Sequence, residues 1–110
     1  MRYTHAVEPL AALADPTRRR ILELVSEAER DAGDIGSHFD ISQPAISRHL
    51  RVLRESGLVR VRPDAQRRLY SLDPKPLAEL DDWLARYRPF WAQRLDALET
   101  QLRRARKERS

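Results

Sequence analysis

Gln43, Ser47, Arg48 and Arg51 are the residues whose types and spacing invite chemistry, and that chemistry is recognition rather than bond making. At about 100° per residue they share one side of a helix with Pro44 and Arg54, while Ile46, Leu50 and Leu53 share the other. Amides, short hydroxyls and guanidinium groups are the side chains that pair with base edges and phosphates of DNA. A plain solvated helix face would look similar, so the reading depends on what flanks the stretch. No nucleophile stands beside a base, no metal-ligating cluster recurs and no glycine-rich phosphate loop appears, which argues against an enzyme.

The flanks supply a scaffold. Ser42 is an N-cap residue with Pro44 in the first turn, and Gly57 suits the left-handed position that ends a helix. Upstream, Asp31 opens a short helix with Ile35 and Phe39 on one face; Gly36, a poor helix former, fits a close approach to another helix. Asp40 sits at the bend, where a left-handed backbone is expected to be tolerated. Residues 31–57 thus follow helix-turn-helix grammar. Downstream, 58–62 and 68–72 are β-favouring and alternating, with 63–67 as a hairpin loop. Residues 58–72 read as a wing, with Arg67 and Arg68 at its tip, placed for phosphates or a narrow minor groove.

The ends of the chain read as helix. No pattern marks residues 1–7; a short helix is expected from Glu8-Pro9, with Leu10, Leu13 and Ala14 on its apolar side. Asp15-Pro16-Thr17 caps a second helix with the stripe Ile21, Leu22, Val25 and Ala28. The run Arg18-Arg19-Arg20 suits a solvated face better than a DNA contact. After Asp73-Pro74 comes a long stripe of Leu77, Leu80, Leu84, Tyr87, Trp91, Leu95, Leu98 and Leu102, spaced by threes and fours and widened by Trp83 and Phe90. Pro89 predicts a kink or break near Arg88. This is more aromatic surface than one small domain buries, so residues 74–104 are expected to form a dimerisation helix or kinked helix pair.

Composition agrees with a DNA partner. The 110 residues suit a single domain, 1–110, with a net charge of only +4 unevenly spread. Between Arg48 and Arg68 seven arginines face two acids, and between Arg103 and Arg109 five basic residues face one, leaving the remainder net acidic. A basic patch on an acidic background points to a polyanion. With no cysteine, no apolar leader and no run of membrane length, the expectation is a cytoplasmic protein without disulfides, thiolate metal sites or a membrane partner.

From about Leu10 to Leu102 the chain resembles the ArsR/SmtB family of dimeric winged-helix bacterial repressors. The segments that carry the resemblance are 11–22, 41–50 and 53–59. It implies a mainly α fold with a small β-hairpin wing, dimerised through the first and last helices. It also implies double-stranded DNA as partner, contacted by Ser42, Gln43, Pro44, Ser47, Arg48 and Arg51, with Arg67 and Arg68 on the wing. The interface carried over by the resemblance comprises Leu10, Leu13, Trp83, Leu84, Tyr87, Phe90, Trp91, Leu95 and Leu98. Metal-sensing members often carry a Cys-x-Cys pair where this chain has Asp31-Ala32-Gly33-Asp34, and another sensing site of the family uses Asp and His on the last helix, where this chain has Glu79, Asp81 and Asp82 but no histidine. His5, His38 and His49 are scattered, so no metal or cofactor is expected. An aromatic stripe such as Trp83, Tyr87 and Trp91 is more often core than pocket; a regulator released by a small organic molecule or an oxygen-coordinated metal, bound between the last helices, is the rival expectation, and the effector is unidentified. The resulting expectation is a sequence-specific dimeric regulator, a repressor acting on an inverted-repeat operator. The alternative is a winged-helix interaction module that binds DNA only non-specifically.

Overall fold

The computed structural model describes residues 2–109, with side chains from residue 8 onward; the side chain of His5 lies outside the described residues. The elements are α1 (Arg2–Leu13), α2 (Pro16–Glu27), α3 (Ala32–Gly36), α4 (Gln43–Glu55), β1 (Val59–Asp64), β2 (Arg67–Leu72), α5 (Pro74–Ala85) and α6 (Arg88–Arg109). They fall into two compact units, Met1–Leu80 and Asp81–Ser110. The fold is mainly helical with one antiparallel two-stranded hairpin.

In the first unit the core is aliphatic. Ile21, Leu22 and Val25 of α2 meet Ile35 of α3, Ile46, Leu50 and Leu53 of α4, and Leu58 and Val59 at the start of the hairpin. Side chains of this kind contribute roughly 1.5–3 kcal/mol each when fully buried. They therefore fix which side of α4 faces inward. Its other side, from Gln43 to Arg54, is left exposed.

Capping follows the sequence closely. Asp15, Asp31 and Ser42 each accept a bond from the amide three residues on, namely Arg18, Asp34 and Ala45. At the other end of α4, Gly57 adopts φ +79°, the Gly57 N–H donates to Arg54 O at 3.0 Å, and the Leu58 N–H donates to Leu53 O at 2.9 Å. This double bond pattern is the Schellman motif. Asp73 Oδ1 accepts from the Lys75 N–H at 3.1 Å at the start of α5.

Several expectations are corrected. Helix α1 does not open at Glu8-Pro9: Pro9 lies inside it, buried, and the core-facing side is Pro9, Ala12 and Leu13 rather than Leu10 and Ala14. An interior proline forfeits a helix bond, yet Pro9 is buried within the helix. Ala28 lies beyond α2 with an extended backbone and is exposed, while Leu24 takes the inward place. Asp40 is not left-handed, since Ala65 is the one non-glycine residue with positive φ among the described residues. Successive bonds from the His38 N–H to Ile35 O and the Phe39 N–H to Gly36 O carry the bend instead.

The hairpin is longer and its turn tighter than expected. Pairing runs from Val59 with Leu72 to Asp64 with Arg67, leaving Ala65-Gln66 as a two-residue loop. Ala65 takes φ +56°, a position that glycine fills more easily. The hairpin is also held by a bridge absent from the sequence reading: the Arg30 N–H donates to Tyr70 O at 3.1 Å, and the Tyr70 N–H to Arg30 O at 2.8 Å.

In the second unit, α5 ends at Ala85 and α6 begins at Arg88, so Pro89 stands in the first turn of a new helix. Of the expected kink or break, the chain takes the break. Trp83 and Tyr87 stack at a tilt with ring centroids 5.1 Å apart. Helix α6 buries none of its residues: Phe90 is 76% exposed, and Leu95, Leu98 and Leu102 are each more than half exposed.

Candidate nucleic-acid interface

Helix α4 presents Ser42, Gln43, Pro44, Ser47, Arg48, Arg51 and Arg54 to solvent on one side, because Ile46, Leu50 and Leu53 hold the other side in the core. These exposed residues do not have equal freedom. The Ser42 hydroxyl caps its own helix. Gln43 reaches back across the turn, its Nε2 donating to Ala32 O at 3.0 Å. A Cβ added at Gly36 would meet Gln43 Oε1 at 2.5 Å, so the glycine makes room for this latch. Gly36 therefore marks the close approach its presence suggested.

Arginines of the same region divide into two sets. Arg62 forms a bidentate pair with Glu29, at 2.6 and 2.8 Å. Arg60 pairs with Asp73 at 3.2 Å, and Arg67 with Asp64 at 3.0 Å, while Asp31 stands 3.8 Å away on its other side. Against these, Arg48, Arg51, Arg54 and Arg68 form no ion pair among the described residues. Three of them, Arg51, Arg54 and Arg68, line a single concavity with Ser47, Leu50 and Tyr70. Arg51 and Arg54 of α4 thus share one concavity with Arg68 of β2, while Arg67 pairs with Asp64 and lies near Asp31. Arg54 and Tyr70 were not among the contacts carried over by resemblance. The helical angle of Arg54 was legible; Tyr70 was not, because its place depends on strand pairing.

The paired set shapes the local electrostatics. The Arg62 guanidinium holds the Glu29 carboxyl below the usual carboxylate range. Arg60, followed by the Lys75 amide, does the same to Asp73. Asp15 ionises low chiefly through the Arg18 amide bond, with the nearby charges of His49 and Arg18 adding to it. His49 is half-buried, beside the core face of α4.

The run Arg18-Arg19-Arg20 has a structural task in part. Arg18 Nε donates to Ala12 O at 2.7 Å and an Arg19 guanidinium N–H to Leu13 O at 2.7 Å, closing the end of α1. Such side chains satisfy the carbonyls a helix leaves unpaired. Among the described residues no group of three His, Cys, Asp or Glu side chains is arranged to hold a metal ion. No helix among the described residues is long and apolar enough to cross a membrane.

Of the remaining expected residues, Leu10 is exposed and Leu13 packs on the core of the first unit. Trp83, Leu84, Tyr87, Phe90, Trp91, Leu95 and Leu98 belong to the second unit. The Trp83 Nε1 is buried with no acceptor among the described residues.

Residues 15–61 match the family described as bacterial regulatory proteins of the arsR family. The chain is 38% identical over 76 residues to the transcriptional repressor SdpR of Bacillus subtilis, covering 69% of this chain and 84% of that protein. An ArsR-like transcriptional regulator from a Rhodococcus species superimposes with a TM-score of 0.73 at 28% identity, over 89% of this chain and 92% of the other. A homodimeric winged helix-turn-helix DNA-binding domain from Mycobacterium bovis, a possible ArsR-family regulator, gives 0.64 at 25% identity, over 76% and 77% respectively.

Proposed function

Because the chain belongs to the arsR family of bacterial regulatory proteins, we propose that it is a sequence-specific, homodimeric repressor that binds an inverted-repeat operator in the cytoplasm. The observation that carries this reading is the outward side of α4, which presents Ser47, Arg48, Arg51 and Arg54, with none of these arginines in an ion pair among the described residues. The family is one of transcriptional regulators and not of enzymes.

In this reading α4 lies in the major groove, as recognition helices of this motif do. Ser47 and Arg48, in its first half, read base edges; Arg51 and Arg68 hold the phosphate backbone. Gln43 contributes by fixing α3 against α4, and touches a base only if its bond to Ala32 opens. Arg67 pairs with Asp64 in the wing and lies near Asp31 at the start of α3, so it stands second to Arg68 as a DNA contact.

The second copy covers α6. A 22-residue helix that buries nothing, with Phe90, Leu95, Leu98 and Leu102 all exposed, is an apolar surface awaiting a partner. The partner domain in the Mycobacterium bovis structure is another copy of itself. Two copies would present two α4 helices about 10 base pairs apart, centre to centre. No effector is assigned.

Selection of bound duplexes from a random DNA library tests the reading. Enrichment of an inverted repeat that outcompetes scrambled DNA is expected. Absence of any enriched sequence, with binding that disappears as salt rises, would favour an interaction module that binds DNA non-specifically.

A further inference from the structure

The concavity between α4 and β2 has a volume of about 200 Å³ and is lined by Ser47, Leu50, Arg51, Arg54, Arg68 and Tyr70. Three arginines line it and no acidic residue does. This is unusual for the region: Arg60, Arg62 and Arg67 of the same hairpin each have an acid partner. Glu55 stands four residues from Arg51 along α4, a spacing that permits a pair, yet it lines a different concavity with Glu8 and Arg18. Three like charges around one space repel each other unless an anion joins them. Leu50, 2% exposed, forms an apolar part of the lining.

We propose that this cleft is a binding site for a single phosphate group. Guanidinium forks match phosphate oxygens bidentately and charge-assisted bonds of this kind are strong. Tyr70, also in the lining, carries a hydroxyl that can donate to a phosphate oxygen. The inference deepens the DNA-binding reading, on which it rests only for the source of the phosphate. A backbone phosphodiester seated here would fix the register of the recognition helix and the wing on one strand at once. A phosphorylated small molecule would occupy the same groups and exclude that strand.

Two measurements decide it. In the DNA-free protein, the arginine Nε–H NMR signals are titrated with inorganic phosphate, against sodium chloride at matched ionic strength. Saturable shifts at Arg51, Arg54 and Arg68 that disappear in Arg54→Gln and shrink in Arg68→Gln are expected; shifts no larger than those from chloride contradict a built site. On DNA, a series of duplexes each carries one neutral methylphosphonate. If the phosphate comes from DNA, one position per half-site should weaken wild-type binding by roughly tenfold or more and leave Arg54→Gln no weaker than it already is. If no position behaves so while the phosphate shifts are present, the ligand is a free phosphorylated molecule, and phosphate should then compete with DNA for wild type but not for Arg54→Gln. Neither shifts nor a sensitive position would overturn the proposal. A wild-type protein that binds no duplex would instead remove the DNA reading and leave the titration to judge the cleft.

Discussion

At the scale of single residues, the two sets of arginines separate recognition from scaffolding. Arg48 is exposed in the first half of α4 and forms no ion pair among the described residues. If it reads a base, Arg48→Ala should weaken operator binding by about 1–3 kcal/mol and scrambled DNA much less, read by anisotropy titration. Equal losses on both would make it a phosphate contact. Gln43 has the opposite character. Its bond to Ala32 O ties the two helices, so Gln43→Ala should lower unfolding stability by roughly 0.5–1.5 kcal/mol in a denaturant titration, while leaving base preference intact. A changed preference with unchanged stability would make it a base reader after all. The face of α4 was legible from its angular spacing alone. Which polar groups on that face were already engaged was not, because Ala32 and Asp31 reach Gln43 and Arg67 only through the fold.

At the scale of elements, the ends of helices and the hairpin turn carry opposite predictions. Gly57 at φ +79° completes the cap of α4, so Gly57→Ala should destabilise by about 1–2 kcal/mol. Ala65 at φ +56° occupies a glycine-like place, and Ala65→Gly should stabilise by up to about 1 kcal/mol. Thermal melts of both variants check the pair of signs. The wing is also tied to the loop after α2 by Arg62 and Glu29. A carboxylate held below its usual range gives stability that is fully present above that range and is lost as pH falls through the lowered value. Protection factors of the β1 and β2 amides, which refer each rate to its intrinsic value at that pH, should therefore fall as pH drops below the ordinary glutamate range, more in wild type than in Arg62→Gln; identical pH profiles would contradict a role for the pair. Caps at Asp15, Asp31, Ser42 and Gly57 were readable because each acts within a few residues of its own position. The start of α1 was misread because Pro9 serves as an opening signal locally and is buried inside the helix by distant contacts. The Arg30–Tyr70 bridge was invisible for a related reason, since forty residues separate its partners.

At the scale of the whole molecule, the account depends on two copies presenting two α4 helices to one duplex. The stripe on α6 was legible from spacings of three and four, and its exposure in a single chain agrees with a partnered surface. Replacing Leu95 or Leu98 by Asp should convert a dimer to a monomer in sedimentation velocity, with α2 to α4 still folded by NMR. The measurement that bears most directly on the central claim is the stoichiometry and groove footprint of the complex on the selected duplex. Two chains per duplex are expected, with major-groove protection at two places about 10 base pairs apart and loss of the second when the chain is made monomeric. One chain per duplex, or protection spread evenly along the DNA, would contradict the account.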